Sequence, residues 1–583
     1  MAALFLVRTE DVDFSEAALA RARRQFSLQG SRDCSELEIP GWKILHAPYM
    51  QGGPDTLLVR KGELVAIAGT LTCDGKIGKA ALQALLEMPD LEKPDWSRLG
   101  GHFVALVHRA GRSFVFTDYF GAFQLFHDEE SRLFSTSLLA AVDSLPRLSF
   151  HRQGVYELAF NVVPIGNDTV FEELKLLGPD RVVELCRTGV SNHAVDKPLP
   201  TETERRPLQE ALAASRDRLL AVLRPYADAF QDRIFCPLSG GLDSRLVLAG
   251  LRGVGASPGL FVYGDPDDSD VLVAKTIAQA EGTPIDWWDK QNWRRPTLDE
   301  FPEQVERNFQ AYDGLAPFGA LFENGANDAA RTARHRHGAL SASGGCGEIY
   351  RNFFFLPDRR FTAAEVARVF FARYRVADLT SEFDEADFLR RLADKILASL
   401  GCDGERGALP RQVVEQVYPR VRCRSAFGRE ISLEARCGAY VMPFLDQHVV
   451  AEAVKLPLHV KNAGAFESQL LAMIDPALAA HPSVYGHDFL EPPSRRHRFS
   501  EWSTRIRPIW LRQRSYALQR WRGPVVDEHG GLISPDFVGR VVDLEFPVMR
   551  RFFRTEQITD SSVMRRIANL EYLASYLGSK LVN

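Results

Sequence analysis

Residues Ile234 to Arg245 read Ile-Phe-Cys-Pro-Leu-Ser-Gly-Gly-Leu-Asp-Ser-Arg, and the fold turns on this stretch. Ile234 to Leu238 is a short apolar run of the kind that forms a buried strand. Leu246 to Leu251 behind it is an apolar helical segment, and Leu260-Phe261-Val262-Tyr263 is a second strand. Strand, glycine turn, helix and strand in succession predict a parallel α/β sheet. Gly240 and Gly241 let the backbone turn tightly and present N–H groups, while Ser239 and Ser244 add hydroxyls. The helix starting here aims its positive end at the same spot, so an anion cradle suited to pyrophosphate, opening onto a cavity, is expected. The Gly-x-x-x-x-Gly-Lys-Ser/Thr spacing of the Walker loop is absent.

Upstream, Leu208 to Phe230 has apolar residues at helical spacing, and residues 188–207 carry turn and charge content without an apolar period, which predicts a linker. Residues 1–187 are rich in short β-type runs, among them Leu64 to Leu71, His102 to His108, Ser113 to Thr117 and Arg181 to Leu185. An antiparallel β-rich domain is expected there. Beyond residue 360 the pattern is mostly helical, ending with Ser561 to Leu577.

The whole chain has 583 residues, 45% hydrophobic and 25% charged, which suits two substantial domains and excludes a disordered or collagen-like chain. Lys plus Arg number 71 against 76 Asp plus Glu, a net charge of −5 that is too balanced for bulk nucleic-acid binding. No long apolar run or signal-peptide layout occurs, so a cytoplasmic protein without a membrane partner is expected. The eight cysteines form no Cys-x-x-Cys pair. His335 and His337 sit in a surface-like Arg-His-Arg-His run with no third metal ligand in sequence. Between Arg495 and Arg522 nine arginines face one acid, Glu501, with Trp502, Trp510 and Trp521 interleaved. An amphipathic helix with tryptophans inward is the expected form, and a grip on an acidic peptide or nucleic-acid backbone the alternative.

The segment Ser239-Gly240-Gly241-Leu242-Asp243-Ser244 resembles the pyrophosphate loop of the asparagine synthetase family. Ser269-Asp270 with Lys275, Tyr312-Asp313, Pro443-Phe444-Leu445-Asp446 and Val454-Lys455-Leu456-Pro457 follow in the family's order and extend the resemblance over residues 95 to 500. Leu99 to Leu106, Thr117-Asp118-Tyr119-Phe120-Gly121 and Leu125-Phe126 resemble the class II glutamine amidotransferase fold that the family carries at its N-terminus, and Phe134 to Leu138 stands where the family has Ala-Ser-Glu. The resemblance implies an α/β fold class: an Ntn-hydrolase-like αββα domain over residues 1–187, then a doubly wound parallel-sheet ATP-pyrophosphatase domain over 208–583 with a helical C-terminal part. It also implies ATP and Mg²⁺ as cofactors. Leu238 and Tyr263 would flank the adenine, and Ser239, Gly240, Gly241, Leu242, Asp243 and Ser244 would hold the pyrophosphate. Asp270, Gly344 and Gly345 would adjoin the nucleotide, and Asp243 with Glu348 would hold the metal. Arg496 matches a basic residue that neutralises the departing pyrophosphate, making Arg496 and Glu348 the catalytic candidates.

The sequence departs from the family at instructive places. Glutamine hydrolysis in this fold uses a cysteine directly after the initiator methionine, whose freed amine activates the thiol; here that residue is Ala2, and the family's Asn-Gly is Ala68-Gly69. The second phosphate-side loop, Ser343 to Arg351, is one residue shorter than the family's and has lost its metal-facing aspartate. Glu348 then either partners Asp243 on Mg²⁺ or pairs structurally with Arg351. The implied activity is an ATP-dependent amide-forming ligase that makes an acyl-adenylate, releases pyrophosphate and passes the acyl group to ammonia or a substrate amine. Relatives lacking the cysteine, β-lactam synthetases and lasso peptide cyclases, offer a cyclase alternative with a peptide or small-molecule substrate. A nucleotide-binding paralogue without turnover is another, and a homodimer is compatible with each. Incubated with glutamine, the purified protein should release no glutamate above a buffer control; measurable glutaminase turnover would overturn this reading.

Overall fold

The computed structural model describes residues 2–31, 33–289, 292–512 and 531–582. Within them the chain has the expected α/β architecture: a sandwich of antiparallel sheets, then a doubly wound parallel sheet with a helical C-terminal part.

The first domain holds two six-stranded antiparallel sheets. The strand Glu63–Cys73 explains how they stack. Its side chains alternate, sending Leu64, Ala66 and Ala68 into a core shared with the strand Ala3–Arg8 of the other sheet. Val65, Ile67 and Leu71 point the other way, against Ala81, Leu82 and Leu85 of the helix Lys79–Leu86. Covered on both faces, the strand is apolar almost throughout. The helix Val12–Leu28 closes the opposite side, burying Ala18, Leu19, Ala22 and Phe26 at helical spacing. The result is an αββα stack.

One boundary differs from expectation. Gly189–Ala194, assigned to the linker, is an edge strand paired antiparallel with Arg181–Cys186. Its Val-Ser-Asn-His composition is that of a half-solvated edge, without the apolar alternation that marks a strand in sequence. Further on, Lys197 is buried, donating to the Asp118 carbonyl at 2.8 Å with its ammonium 3.6 Å from the Trp96 ring centre. The connection is therefore anchored to the first domain.

The second domain is built on a five-stranded, all-parallel sheet. Its order is Ile285–Asp289, Gly259–Gly264, Ile234–Pro237, Leu340–Ala342, Tyr440–Val441. In chain order this is 3-2-1-4-5, so the winding reverses between Ile234–Pro237 and Leu340–Ala342. The crevice beyond the carboxyl ends of these two strands is the topological switch point, where doubly wound sheets bind ligands. Leu208–Phe230 and Ser561–Leu577 are helices as predicted.

Asp313 couples the domains. It is fully buried with a left-handed backbone (φ 52°), and its carboxylate accepts the Leu138 N–H at 2.6 Å, the Ser137 hydroxyl at 2.5 Å and the Gln29 amide at 2.7 Å, all from the first domain. From its own side it is paired with Arg436 at 2.6 Å. Burial alone would raise its pKa, but Arg436, Arg429 and these hydrogen bonds hold it below the usual range. A depressed folded value gives stabilisation that is complete above the unfolded pKa of about 3.9 and lost as pH falls through the folded one. Asp313→Asn should cost about 3–5 kcal/mol at neutral pH. Urea unfolding should also lose stability below about pH 4 more steeply in the wild type than in the variant; parallel acid profiles would contradict the assignment.

Candidate functional site

Two glycine-rich loops meet at the switch point. The first, Leu238 to Gly241, leads from the strand Ile234–Pro237 into the helix Leu242–Gly253. The second, Ser343 to Cys346, follows Leu340–Ala342. They touch backbone to backbone: a Cβ on Gly344 would lie 2.8 Å from the Ser244 nitrogen, and one on Gly347 would lie 2.0 Å from the Asp243 carboxylate. Any side chain there would separate the loops, which accounts for both glycines.

The expected cradle is assembled, but it is closed. The Ser239 N–H donates to the Ser244 hydroxyl at 3.0 Å, the Gly240 N–H to the Asp270 carboxylate at 2.8 Å and the Gly241 N–H to the Ser239 hydroxyl at 3.3 Å. Each donor is satisfied internally, in one case by an anionic oxygen of the kind a phosphate offers. A strap, residues 481–487, lies over the loop. The Val484 N–H donates to the Gly240 carbonyl at 3.2 Å, and a Cβ on Gly240 would sit 2.1 Å from Val484 Cγ1. The strap is tied down by Arg245, which donates to the carbonyls of His481 at 3.0 Å and Pro482 at 2.5 Å. Burial lowers the Arg245 guanidinium to about 10, opposed by Glu281 and Tyr485. The expectation of a cavity opening onto both glycines is thus corrected: Val484 fills the space over Gly240, and although Gly241 is partly exposed, neither glycine lines the cavity beside the loop.

A cavity of about 760 Å³ lies beside the loop instead. Leu242 lines it, as do Glu348, Arg351, Tyr485, His487 and His497, whereas Ser239, Gly240, Gly241, Asp243 and Ser244 do not. At its loop end Arg351 bridges two carboxylates, Asp243 at 2.7 Å and Glu467 at 2.5 Å. Burial pushes the Asp243 carboxyl well above its usual range; Arg351 opposes this and Glu467 adds to it. Glu467 Oε1 is buried without a hydrogen-bond partner. A proton on Asp243 would balance the trio, and a cation in its place would do the same: the carboxylate oxygens of Asp243 and Glu467 are hard donors of the kind a divalent cation takes. Glu348 itself accepts the Tyr418 hydroxyl at 2.6 Å, so its structural partner is Tyr418 and that of Asp243 is Arg351. Among the described residues, Glu92, Glu184 and His193 in the first domain form the one cluster of three mutually close metal-type donors.

The other sequence candidates fall in different places. Asp270 reaches the loop as described. Gly344 and Gly345 abut the helix start and the Met442–Phe427 contact respectively. Leu238 is buried, whereas Tyr263 is 49% exposed at the end of its strand. Arg496 is exposed on the helix Arg495–Ile506 and does not line the cavity. His497, Ser500, Glu501 and Thr504 form the inward stripe of that helix, and Arg496 lies one position off it. Trp502 and Trp510 are exposed, contrary to the expected inward tryptophans, and Trp521 with Arg514, Arg520 and Arg522 lies outside the described residues. His335 is fully buried against Glu434 at 3.1 Å, not on the surface. Burial pushes the Cys346 thiol well up, and it lies against the Met442 sulfur at 3.5 Å. In the first domain Ala2 is buried and its N–H donates to the Arg436 carbonyl at 3.3 Å. Sequence reasoning missed Arg245, Arg351, Glu467 and the strap. Arg245 adjoins the motif and could have been flagged, whereas Glu467 and residues 481–487 had no local signal.

No family model matches the chain, and no curated protein matches it. Solved structures to which it is similar include an allosteric regulatory enzyme of purine biosynthesis, at 11% identity and TM-score 0.23 over 51% of this chain and 68% of that one. Another is glutamine phosphoribosylpyrophosphate amidotransferase from B. subtilis complexed with ADP and GMP, at 10% identity and TM-score 0.24 over 67% and 79%. A third is glutamine-dependent NAD⁺ synthetase from Acinetobacter baumannii in complex with adenosine diphosphate, at 18% identity and TM-score 0.15 over 33% and 40%. Scores this low carry no weight for function, which rests on the chain's own geometry.

Gly240→Ala should lift the strap, because its Cβ and Val484 Cγ1 cannot both be accommodated. Native-state hydrogen exchange at the Val484 amide should accelerate by about tenfold or more, and adding Val484→Ala should reverse this. Unchanged exchange in Gly240→Ala would rule out the closed geometry.

Proposed function

We propose that this protein is an ATP-dependent carbon–nitrogen ligase that activates a carboxylate as an acyl-adenylate and transfers it to ammonia or a substrate amine, without glutaminase activity of its own. The observation that carries this reading is the pairing of two glycine loops at the switch point of a 3-2-1-4-5 parallel sheet, one of them opening a helix. What supports an adenylating role is the hydroxyl and amide set of Ser239, Gly240, Gly241 and Ser244 beside a cavity large enough for an acid.

The chemistry asked of the residues is modest. A carboxylate oxygen of the substrate attacks the α-phosphorus, the bond from that phosphorus to the bridging oxygen breaks, and pyrophosphate leaves with that oxygen. The amine nitrogen then attacks the acyl carbon, AMP departs with the former carboxylate oxygen, and the nitrogen loses a proton. The chain contributes placement and charge neutralisation. The loop amides, released from Asp270 and the serines, would turn to the β- and γ-phosphates, and Arg351 would replace Arg496 as the guanidinium nearest the departing group. The proton released by the amine would pass to solvent in the cavity. Mg²⁺ bound by Asp243 and Glu348 would supply neutralisation of phosphate charge. Tyr263, half-exposed at the end of its strand, would flank the adenine.

For this to work the strap must swing away, since Val484 covers Gly240. The loop 343–348, which has lost the family's aspartate, supports a second reading, a nucleotide-binding protein without turnover. Pyrophosphate exchange into ATP, dependent on an added acid, separates them. Ser239→Ala should lower the exchange rate by about 10²–10³, the usual cost of one preorganised donor. Tight ATP binding with no exchange and no AMP release, in the wild type and in Val484→Ala, would support the second reading and sink the first.

A further inference from the structure

The cavity beside the loops is too large and too cationic for a small amino acid. Its volume of about 760 Å³ falls in the range of about 300–1,000 Å³ that holds drug-sized ligands. One wall is aromatic: the rings of Phe353 and Phe354, and of Phe353 and Phe370, lie 5.0 Å apart, and Phe355 and Phe489 extend the surface. The charges around it are unbalanced, with Arg351, Arg368, Arg373, Arg507 and Arg512 against Glu348 and Glu501.

These arginines differ in what they already do. Arg351 is held by Asp243 and Glu467, Arg373 has its guanidinium 4.2 Å from the Phe370 ring centre, and Arg512 donates to the carbonyls of Phe354 and Phe355. Arg368 and Arg507 are exposed, and neither is paired with a carboxylate among the described residues. Burial and then Arg507 disfavour the charge on Arg512, so an anion beside these two guanidiniums would be favoured. Guanidinium groups stacked beside aromatic rings match planar carboxylates attached to aromatic bodies.

Resting on the ligase reading, we infer that the acyl substrate is an aromatic acid of peptide size with at least two negative charges. One carboxylate sits at the Leu242 end against Arg351, where activation would occur, the aromatic body lies on the phenylalanine wall, and a second anionic group reaches Arg368 and Arg507. Free aspartate would leave the aromatic wall uncovered.

The test uses the full-length protein without ATP, and calorimetry with the tripeptide aspartyl-phenylalanyl-glutamate as probe. The tripeptide should bind at least about tenfold more tightly than either aspartate or the neutral N-acetylphenylalaninamide. Arg368→Ala with Arg507→Ala should weaken it by about tenfold and reduce its salt dependence, while circular dichroism stays unchanged because both side chains are exposed. Equal affinity for aspartate, or an unaffected double variant, would overturn the proposal. So would ATP that competes with the tripeptide and loses affinity in the same double variant, since the cavity would then be a nucleotide site. Because no ATP is needed, failure here is distinct from failure of pyrophosphate exchange: tripeptide binding without exchange would leave the cavity assignment standing and remove the ligase.

Discussion

The approach of residues 343–347 to the start of the helix Leu242–Gly253 is the constraint on which the site depends. Gly344 lies against the Ser244 nitrogen and Gly347 against the Asp243 carboxylate at separations no Cβ would permit. This contact is possible because the two parent strands are neighbours in the sheet yet wind in opposite directions from it. It brings Arg351, four residues beyond Gly347, onto Asp243, and Arg351 in turn reaches Glu467 on a separate helix. Loops, ion pair and cavity wall are thus one packed unit, and a change at any glycine in it would be felt at the others.

The electrostatics of that unit are unsettled in an informative way. One guanidinium serves two buried carboxylates, and one oxygen of Glu467 has no partner. Burying a charge without full compensation is costly, so a group that brings positive charge, or a proton, is favoured at this position. A few residues away the opposite holds, with arginines crowded round an aromatic cavity. The loop junction thus holds two carboxylates on one guanidinium, while uncompensated positive charge gathers round the aromatic cavity.

Much of the architecture was legible in the chain itself. The β-run Leu64 to Leu71, the glycine turn at Gly240 and the terminal helix from Ser561 each carry a periodicity or turn chemistry that is local. What escaped notice depends on distant partners. The strand Tyr440–Val441 has two residues and is defined only by pairing with Leu340–Ala342. Gly189–Ala194 is polar because it is an edge. Arg496 matches the family's basic residue by its place in the chain, but helical phase turns His497 inward and Arg496 out. The strap is the largest omission: nothing in residues 481–487 announces that they fold over a loop some 240 positions earlier, because the contact is made through backbone carbonyls and a single valine.

The strap also defines the claim most open to trial, that residues 239–244 receive nucleotide phosphates once residues 481–487 withdraw. Hydrogen–deuterium exchange on the full chain, with and without saturating ATP, examines both halves at once. The account predicts slower exchange at the Gly240 and Gly241 amides together with faster exchange at the Val484 amide. Exchange at both segments unaltered by ATP, despite binding elsewhere in the protein, would contradict it.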